Sequence, residues 1–169
     1  MRAMRMLRLV THGRTRQPVA VLGEIEAEGG GRCVPVFLRR PQADAIALGP
    51  RGESDVPLPQ DVLLPLLHGL GHSIDGVEVT RLADGVFSAV VVCDGDTRIP
   101  VLPSDALAMA VRESLPIGMA EEIIDEVGQP IGEIFPDGVP PPPETQLREM
   151  QSFLADVSPD DFADPPRPP

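Results

Sequence analysis

Lysine, tryptophan and tyrosine are missing from this chain altogether, and each absence narrows what the protein can be. Without lysine, every fixed side-chain cation is a guanidinium. Without tryptophan or tyrosine, and with only five phenylalanines, there is little from which to build a base-stacking platform for nucleic acid. Cysteine is nearly absent too: Cys33 and Cys93 sit singly in strand-like runs, with no second ligand at metal spacing. That pattern predicts reduced, half-buried thiols and no disulfide scaffold. No run of 18 apolar residues occurs, and the opening "MRAMRMLRLV" interleaves arginine with its apolar residues in place of a signal-peptide block. No membrane association and a cytoplasmic location are the expectations.

What remains is a chain of 169 residues, 42% hydrophobic, long enough for one domain with a real core. Ten of its 21 prolines fall in the last 34 residues. The compact domain is therefore expected over 1–135, followed by a proline-rich linker over 136–143. A C-terminal helix and turn are expected over 144–162, and a disordered end over 163–169. In "ETQLREMQSFLADV", Leu147, Met150, Leu154 and Val157 fall at helical spacing, one narrow stripe that must dock on its own domain or on a protein partner.

Charge divides the chain. Residues 1–40 carry eight Arg against three Glu, net +5, whereas residues 41–135 are net −12 and residues 136–169 net −5. The whole chain is net −12. An acidic chain that binds nucleic acid must neutralise phosphates with a local basic patch, here Arg14, Arg16, Arg32, Arg39 and Arg40.

Periodicity predicts a strand over 18–27, a glycine turn at 29–31, the strand "RCVPVFL" and then a helix carrying Asp44. The order recurs as "GVFSAVVVC", the turn Asp94-Gly95-Asp96, "TRIPVL" and a helix from Ser104. A second helix follows each, "PQDVLLPLLHGLG" and "MAEEIIDEVG", both stopped by glycine. Between the halves "SIDGVEVTRLADG" reads as a strand bounded by two Asp-Gly turns, and an N-terminal strand is expected around Met6 to Val10. The fold class is α+β: a duplicated β-β-α-α unit with a mixed or antiparallel sheet, plus a C-terminal helix.

Several motifs have structural explanations. Ser104 suits a helix N-cap, and Asp105 and Asp44 suit first-turn positions facing the positive end of the helix dipole. Alternatively, the helix starts converge with Asp61, and two or three carboxylates hold a divalent metal that activates water for phosphodiester cleavage. His68 and His72 have helical metal-ligand spacing, but Gly69 and Gly71 should end the helix between them. "EGGGR" lacks the ending of a phosphate loop, "DGD" lacks further calcium ligands, and no serine has a Gly-x-Ser-x-Gly setting.

Four blocks, "QPVAVLGEIEAEGGGRCVPVFLRRPQADAIAL", "PLPQDVLLPLLHGLG", "VEVTRLADGVFSAVVV" and "PSDALAMAVRESLPIGMAEEIIDEVG", occur in an order and spacing that resemble the bifunctional nuclease (BFN) domain family. The tail "MQSFLADVSPDDF" is similar to the C-terminal segment of actinobacterial members. The resemblance implies an α+β domain, self-association with a dimer as first expectation, and nuclease activity on DNA and RNA. It maps the family's recurring polar positions onto Asp61, Ser104, Asp105 and Arg112, with Asp44 where members often carry Glu. On that basis Asp44, Asp61, Ser104 and Asp105 are the candidate catalytic residues. Asp44, Asp61 and Asp105 would hold Mg²⁺ or Mn²⁺, and Arg39, Arg40 and Arg112 would bind the nucleic-acid backbone. The chain departs from the family pattern at Gln60, where members carry His, and at Leu102, where they carry Arg. It also has Phe37-Leu38-Arg39 in place of Trp-Ile-Gly. Two functions follow: a metal-assisted nuclease, or a non-catalytic oligomeric scaffold whose acidic tail docks a protein partner.

Overall fold

The computed structural model describes residues 1–25, 31–52 and 56–138. The turn expected at Gly29 and Gly30, the linker from residue 139, the helix and turn over 144–162 and the terminal 163–169 lie outside them.

Eight strands form one mixed sheet: β1 (Arg2–Thr11), β2 (Pro18–Glu24), β3 (Arg32–Phe37), β4 (Ile74–Ala83), β5 (Val86–Cys93), β6 (Thr97–Val101), β7 (Ile117–Met119) and β8 (Gln129–Pro130). Their spatial order is β6-β5-β4-β7-β1-β2-β3-β8. Among the described residues five helices accompany them: α1 (Arg40–Ala47), α2 (Leu63–Gly69), α3 (Pro103–Arg112), α4 (Glu121–Val127) and α5 (Ile131–Ile134). A short 3-10 turn, Pro59–Val62, leads into α2.

The expected internal repeat is present in element order, and it is longer by one strand. β1-β2-β3 and β4-β5-β6 are both antiparallel meanders, each delivering a helix, α1 or α3. The two strands expected as additions are therefore the first strands of the two units. β7, three residues between α3 and α4, joins them by pairing antiparallel to β1 and parallel to β4. A strand that short gives almost no periodic signal, so the sequence did not announce the element that closes the sheet.

Of the Asp-Gly pairs, Asp84-Gly85 is a two-residue hairpin turn with positive φ at both positions, the geometry that matches strand twist, and Asp94-Gly95, also positive in φ, opens the three-residue loop Asp94-Gly95-Asp96. Asp75-Gly76 is not a turn. It lies inside β4 at a register shift between Ile74 and Gly76, because the strand passes close to the segment before β7. A Cβ on Gly76 would stand 2.8 Å from the Pro116 carbonyl oxygen.

Strand alternation divides the sheet into two unlike faces. Met4, Ala20, Leu22, Val34, Val36, Val77, Val79, Ala89 and Val91 point to one face, where α1, α3 and α4 lay Ala45, Ile46, Leu107, Met109, Ile123 and Ile124 over them. Leu7, Val21 and Cys33 point to the other face and meet only Val10 and the α5 region, through Ile131 and Phe135. Because β1 shifts register between Met6 and Arg8, Leu7 and Leu9 lie on opposite faces although they are two residues apart.

Helix starts differ from expectation. The N-cap of α3 is Leu102, with Pro103 as first residue, because proline's fixed φ and missing N–H suit that position. Ser104 is one place further in, buried and not a cap, while Asp105 does occupy the first turn. In α1 the N-cap is Arg39, and no acidic residue lies in the first turn. Asp44 is the fifth helical residue and exposed, so the two Asp-Ala pairs sit at different heights on their helices.

Gly76→Ala should lower the unfolding free energy by about 1–3 kcal/mol, since the methyl meets backbone and not a yielding side chain. Gly132→Ala in α5, where a Cβ meets open space, serves as the control and should be neutral or slightly stabilising. Urea denaturation of both variants measures the difference; equal stabilities would show that β4 and the Pro116 segment separate freely.

Candidate functional site

Four predicted residues converge near the junction of α2 and α3, or lie on α3 itself, but not as an open site. Asp61 and Arg112 are 1% and 2% exposed, and they face each other across that junction. Arg112 Nε donates to Asp61 Oδ1 at 3.2 Å and Nη2 donates to Oδ2 at 2.9 Å, a two-pronged pairing that suits the guanidinium fork. Oδ2 also accepts the Leu58 backbone N–H at 2.8 Å. Arg112 Nη1 donates to the Gly49 carbonyl at 3.0 Å, and the Arg112 carbonyl accepts the Arg51 N–H at 2.7 Å. By donating to its carboxylate, the Arg112 guanidinium holds Asp61 below the usual carboxylate range. Burial opposes this, and the Leu58 N–H adds to the lowering.

This pair fastens the connection between α1 and α2 onto the end of α3. It leaves Arg112 facing a carboxylate and not a phosphate. A shared Mg²⁺ or Mn²⁺ would need several free carboxylate oxygens around one point. Both Asp61 oxygens are engaged, and among the described residues no three His, Cys, Asp or Glu side chains form a group suited to a metal ion. The set Asp44, Asp61 and Asp105 therefore does not fit a shared divalent ion. His68 and His72 do not pair on a metal face either: α2 ends at Gly69, and His72 Nδ1 lies 2.6 Å from Asp94 Oδ2. Asp94 is held below its ordinary range first by the Ser73 N–H and then by His72.

Asp44 stands elsewhere, in a cleft of about 460 Å³ between α1 and the end of β1. Arg16 and Arg40 line the same cleft, with Thr11 and the apolar Leu9, Ala43 and Ala47. Sequence reasoning named Arg40 and Asp44 as site residues, and Arg16 only as part of a basic patch. Arg16 is placed by the turn joining β1 to β2, where its N–H donates to the His12 carbonyl at 2.9 Å and the His12 N–H donates to the Gln17 carbonyl at 2.8 Å. His12 Nδ1 and Thr15 Oγ1 are 3.0 Å apart across the same turn. Arg16 has φ of 58°, the left-handed region that a non-glycine residue occupies at a cost of about 1–2 kcal/mol. Arg39 and Arg40 are exposed at the start of α1, whereas Arg32 is paired with Asp125 at 2.7 Å and with Glu24 at 3.5 Å. Both cysteine thiols are buried, and burial pushes them up from their ordinary value.

An α+β domain made of two β-β-β-α units, closed by a short central strand and locked by a buried Asp–Arg pair, is the class the fold defines. The sequence matches the bifunctional nuclease domain over residues 21–132, and the chain belongs to that family. It is also 34% identical over 152 residues to two proteins of Mycobacterium tuberculosis named as uncharacterized, Rv1829 of strain H37Rv and MT1877 of strain CDC 1551. The alignment covers 86% of this chain and 88% of each relative.

Asp61→Ala should cost about 3–5 kcal/mol, because it leaves a buried guanidinium without its counter-charge. The double replacement Asp61→Leu with Arg112→Met should recover most of that loss. Since the Asp61 carboxyl titrates lower folded than unfolded, its contribution is fully present above the unfolded value of about 3.9 and is lost as pH falls through the folded value. Urea titrations of wild type and the double variant at pH 7 and near pH 3 should show the wild type losing the larger share of its stability in acid.

Proposed function

We propose that the protein binds the phosphodiester backbone of nucleic acid in the cleft between α1 and β1 and cleaves it there. The observation that carries this reading is the meeting of Arg16, Arg40 and Asp44 in one cleft, with Arg16 kept in a strained conformation at its edge. Membership in the bifunctional nuclease domain family supports the reaction class. Non-bridging phosphate oxygens lie against the guanidinium groups of Arg16 and Arg40, and Arg39 extends the positive rim. Asp44 accepts a proton from the attacking water as its oxygen bonds to phosphorus and the bond to the leaving nucleotide oxygen breaks. Asp105 stabilises the start of α3 and takes no part.

Asp44→Asn should reduce cleavage of labelled single-stranded DNA or RNA by at least about 100-fold, the lower range for loss of a general base, while Asp105→Asn leaves it unchanged. Arg16→Gly deletes the guanidinium and relieves the left-handed backbone, so it should weaken binding with stability unchanged or raised. The slope of log affinity against log salt should fall by about 0.7 for single strands for each phosphate left unneutralised. Assays run with Mg²⁺, Mn²⁺ and EDTA on rigorously purified protein complete the test. No cleavage by wild type, or equal cleavage by Asp44→Asn, sinks the catalytic reading.

A second reading, a non-catalytic oligomeric scaffold, rests on α2. Val62, Leu63, Leu66 and Leu70 are all exposed, 43–66%, and fall on one side of the 3-10 turn and helix. Such a contiguous apolar face marks an association surface. Sedimentation of wild type against Leu66→Glu distinguishes the readings: a dimer that the charge dissociates supports the scaffold, whereas a monomer in both removes it.

A further inference from the structure

The sheet face opposite α1, α3 and α4 is unfinished. Over β1–β3 it carries an apolar groove of about 380 Å³, floored by Val19, Val21 and Cys33 and rimmed by Pro35, Phe37 and Ile134. Phe37 is 48% exposed and Ile134 42%, although each stands beside buried apolar floor. α5 already covers part of this face through Ile131 and Phe135, and the chain leaves it at Gly138, where 31 further residues begin.

Next to the groove the same face is basic. Arg8 pairs with Val21 and Arg5 with Gly23 across β1–β2, so both arginines share the face of Val21. Both are exposed, and among the described residues neither side chain has an ion-pair partner. The residues after Gly138 carry what this surface lacks: an apolar stripe of Leu147, Met150, Leu154 and Val157, flanked by Glu144, Glu149 and Asp156.

Dimensions agree. As a helix, residues 144–157 would be about 21 Å long, and the seven residues of β2 span about 23 Å. The five residues Val139 to Pro143 reach about 15 Å as polyproline, enough to turn back from the end of α5 across three strands about 4.8 Å apart. The apolar side of α2 is another exposed apolar surface, but α2 packs with the opposite layer through Leu64 and Leu67. The chain exit stands beside the groove.

We propose that residues 144–157 of the same chain dock in this groove, laying Leu147, Met150, Leu154 and Val157 on Val19, Val21, Cys33 and Phe37, with their acidic side toward Arg5 and Arg8. The tail is a second layer of the domain, completing the sheet face that α5 begins. This does not depend on the nuclease reading.

Two measurements on the full chain test it. Trypsin has one good site in the tail, Arg148-Glu149, since Arg167 precedes proline. Docking should protect that bond, and Leu154→Glu with Met150→Glu should speed its cleavage at least 10-fold while lowering the melting temperature of the domain only by the few degrees that docking contributes. Cleavage of wild type as fast as a free peptide of residues 139–169 overturns the proposal. In the second measurement, Phe37→Cys supplies an exposed thiol in the groove, and Leu147, Met150, Leu154 and Val157 are changed to cysteine one at a time in that background, then oxidised. At least one should bond to the cysteine placed at position 37 within a single chain, whereas the same four combined with Leu66→Cys on α2 should form none. Absence of any bond at position 37, or only disulfide-linked dimers, which would mean that the tail docks on a second copy, overturns docking within the chain.

Discussion

The buried pair of Asp61 and Arg112 holds the helical layer in place. Arg112 ends α3, yet through one side chain and one carbonyl it fixes the Gly49 carbonyl, the Arg51 N–H and the Asp61 carboxylate, all on the connection from α1 to α2. The described residues between Leu48 and Leu58 form no strand or helix and are thereby tied to the end of α3, with Arg51 drawn to Glu113 at 3.1 Å. The pair gives specificity more than net stability, because desolvating two charges offsets most of their attraction. Its effect is to set where α1 ends and α2 begins.

That arrangement changes the meaning of the family's polar positions. Asp61 and Arg112 have a structural role visible here, a carboxylate and a guanidinium that satisfy each other inside the core. Residues that look catalytic in sequence because they are polar and regularly placed are in this case the ones least able to meet a substrate. Gln60 is part of the 3-10 turn that carries Asp61. Asp44, exposed in the second turn of α1, is free of such duties and opens onto a cleft.

Much of the fold was legible because its signals are local. Strand alternation in β2, β3 and β5, the Asp84-Gly85 and Asp94-Gly95 turns and the left-handed Gly71 after α2 each depend on neighbours within a few residues, whereas Gly128 ends α4 in an extended conformation. The failures have one cause, contacts made at long range. Nothing near Asp61 announces a partner 51 residues away, and nothing near Asp75-Gly76 announces Pro116. Ser104 looked like a cap because serine prefers that place, but Pro103 before it is better suited to the first helical position and moved the cap to Leu102. The cleft was half legible: Arg40 and Asp44 are one helical turn apart, whereas Arg16 comes from a different turn and is brought in by the packing of α1 on β1.

The fold also turns the uneven charge of the sequence into a spatial polarity. The arginine-rich first 40 residues form β1–β3 and the start of α1, while β4–β6 and their turns carry five acids against two arginines. The separation is not complete, because α4 returns acids to the first flank, where Glu121 lies 3.5 Å from Arg2 and Asp125 2.7 Å from Arg32. What stays positive there is local: Arg16, Arg39 and Arg40 around the cleft between α1 and β1. With a screening length near 8 Å at physiological ionic strength, a polyanion approaching that cleft meets these arginines before the acids of β4–β6. A net negative protein can thus present a positive patch, and the sheet order makes that possible by keeping β4-β5-β6 on the other flank.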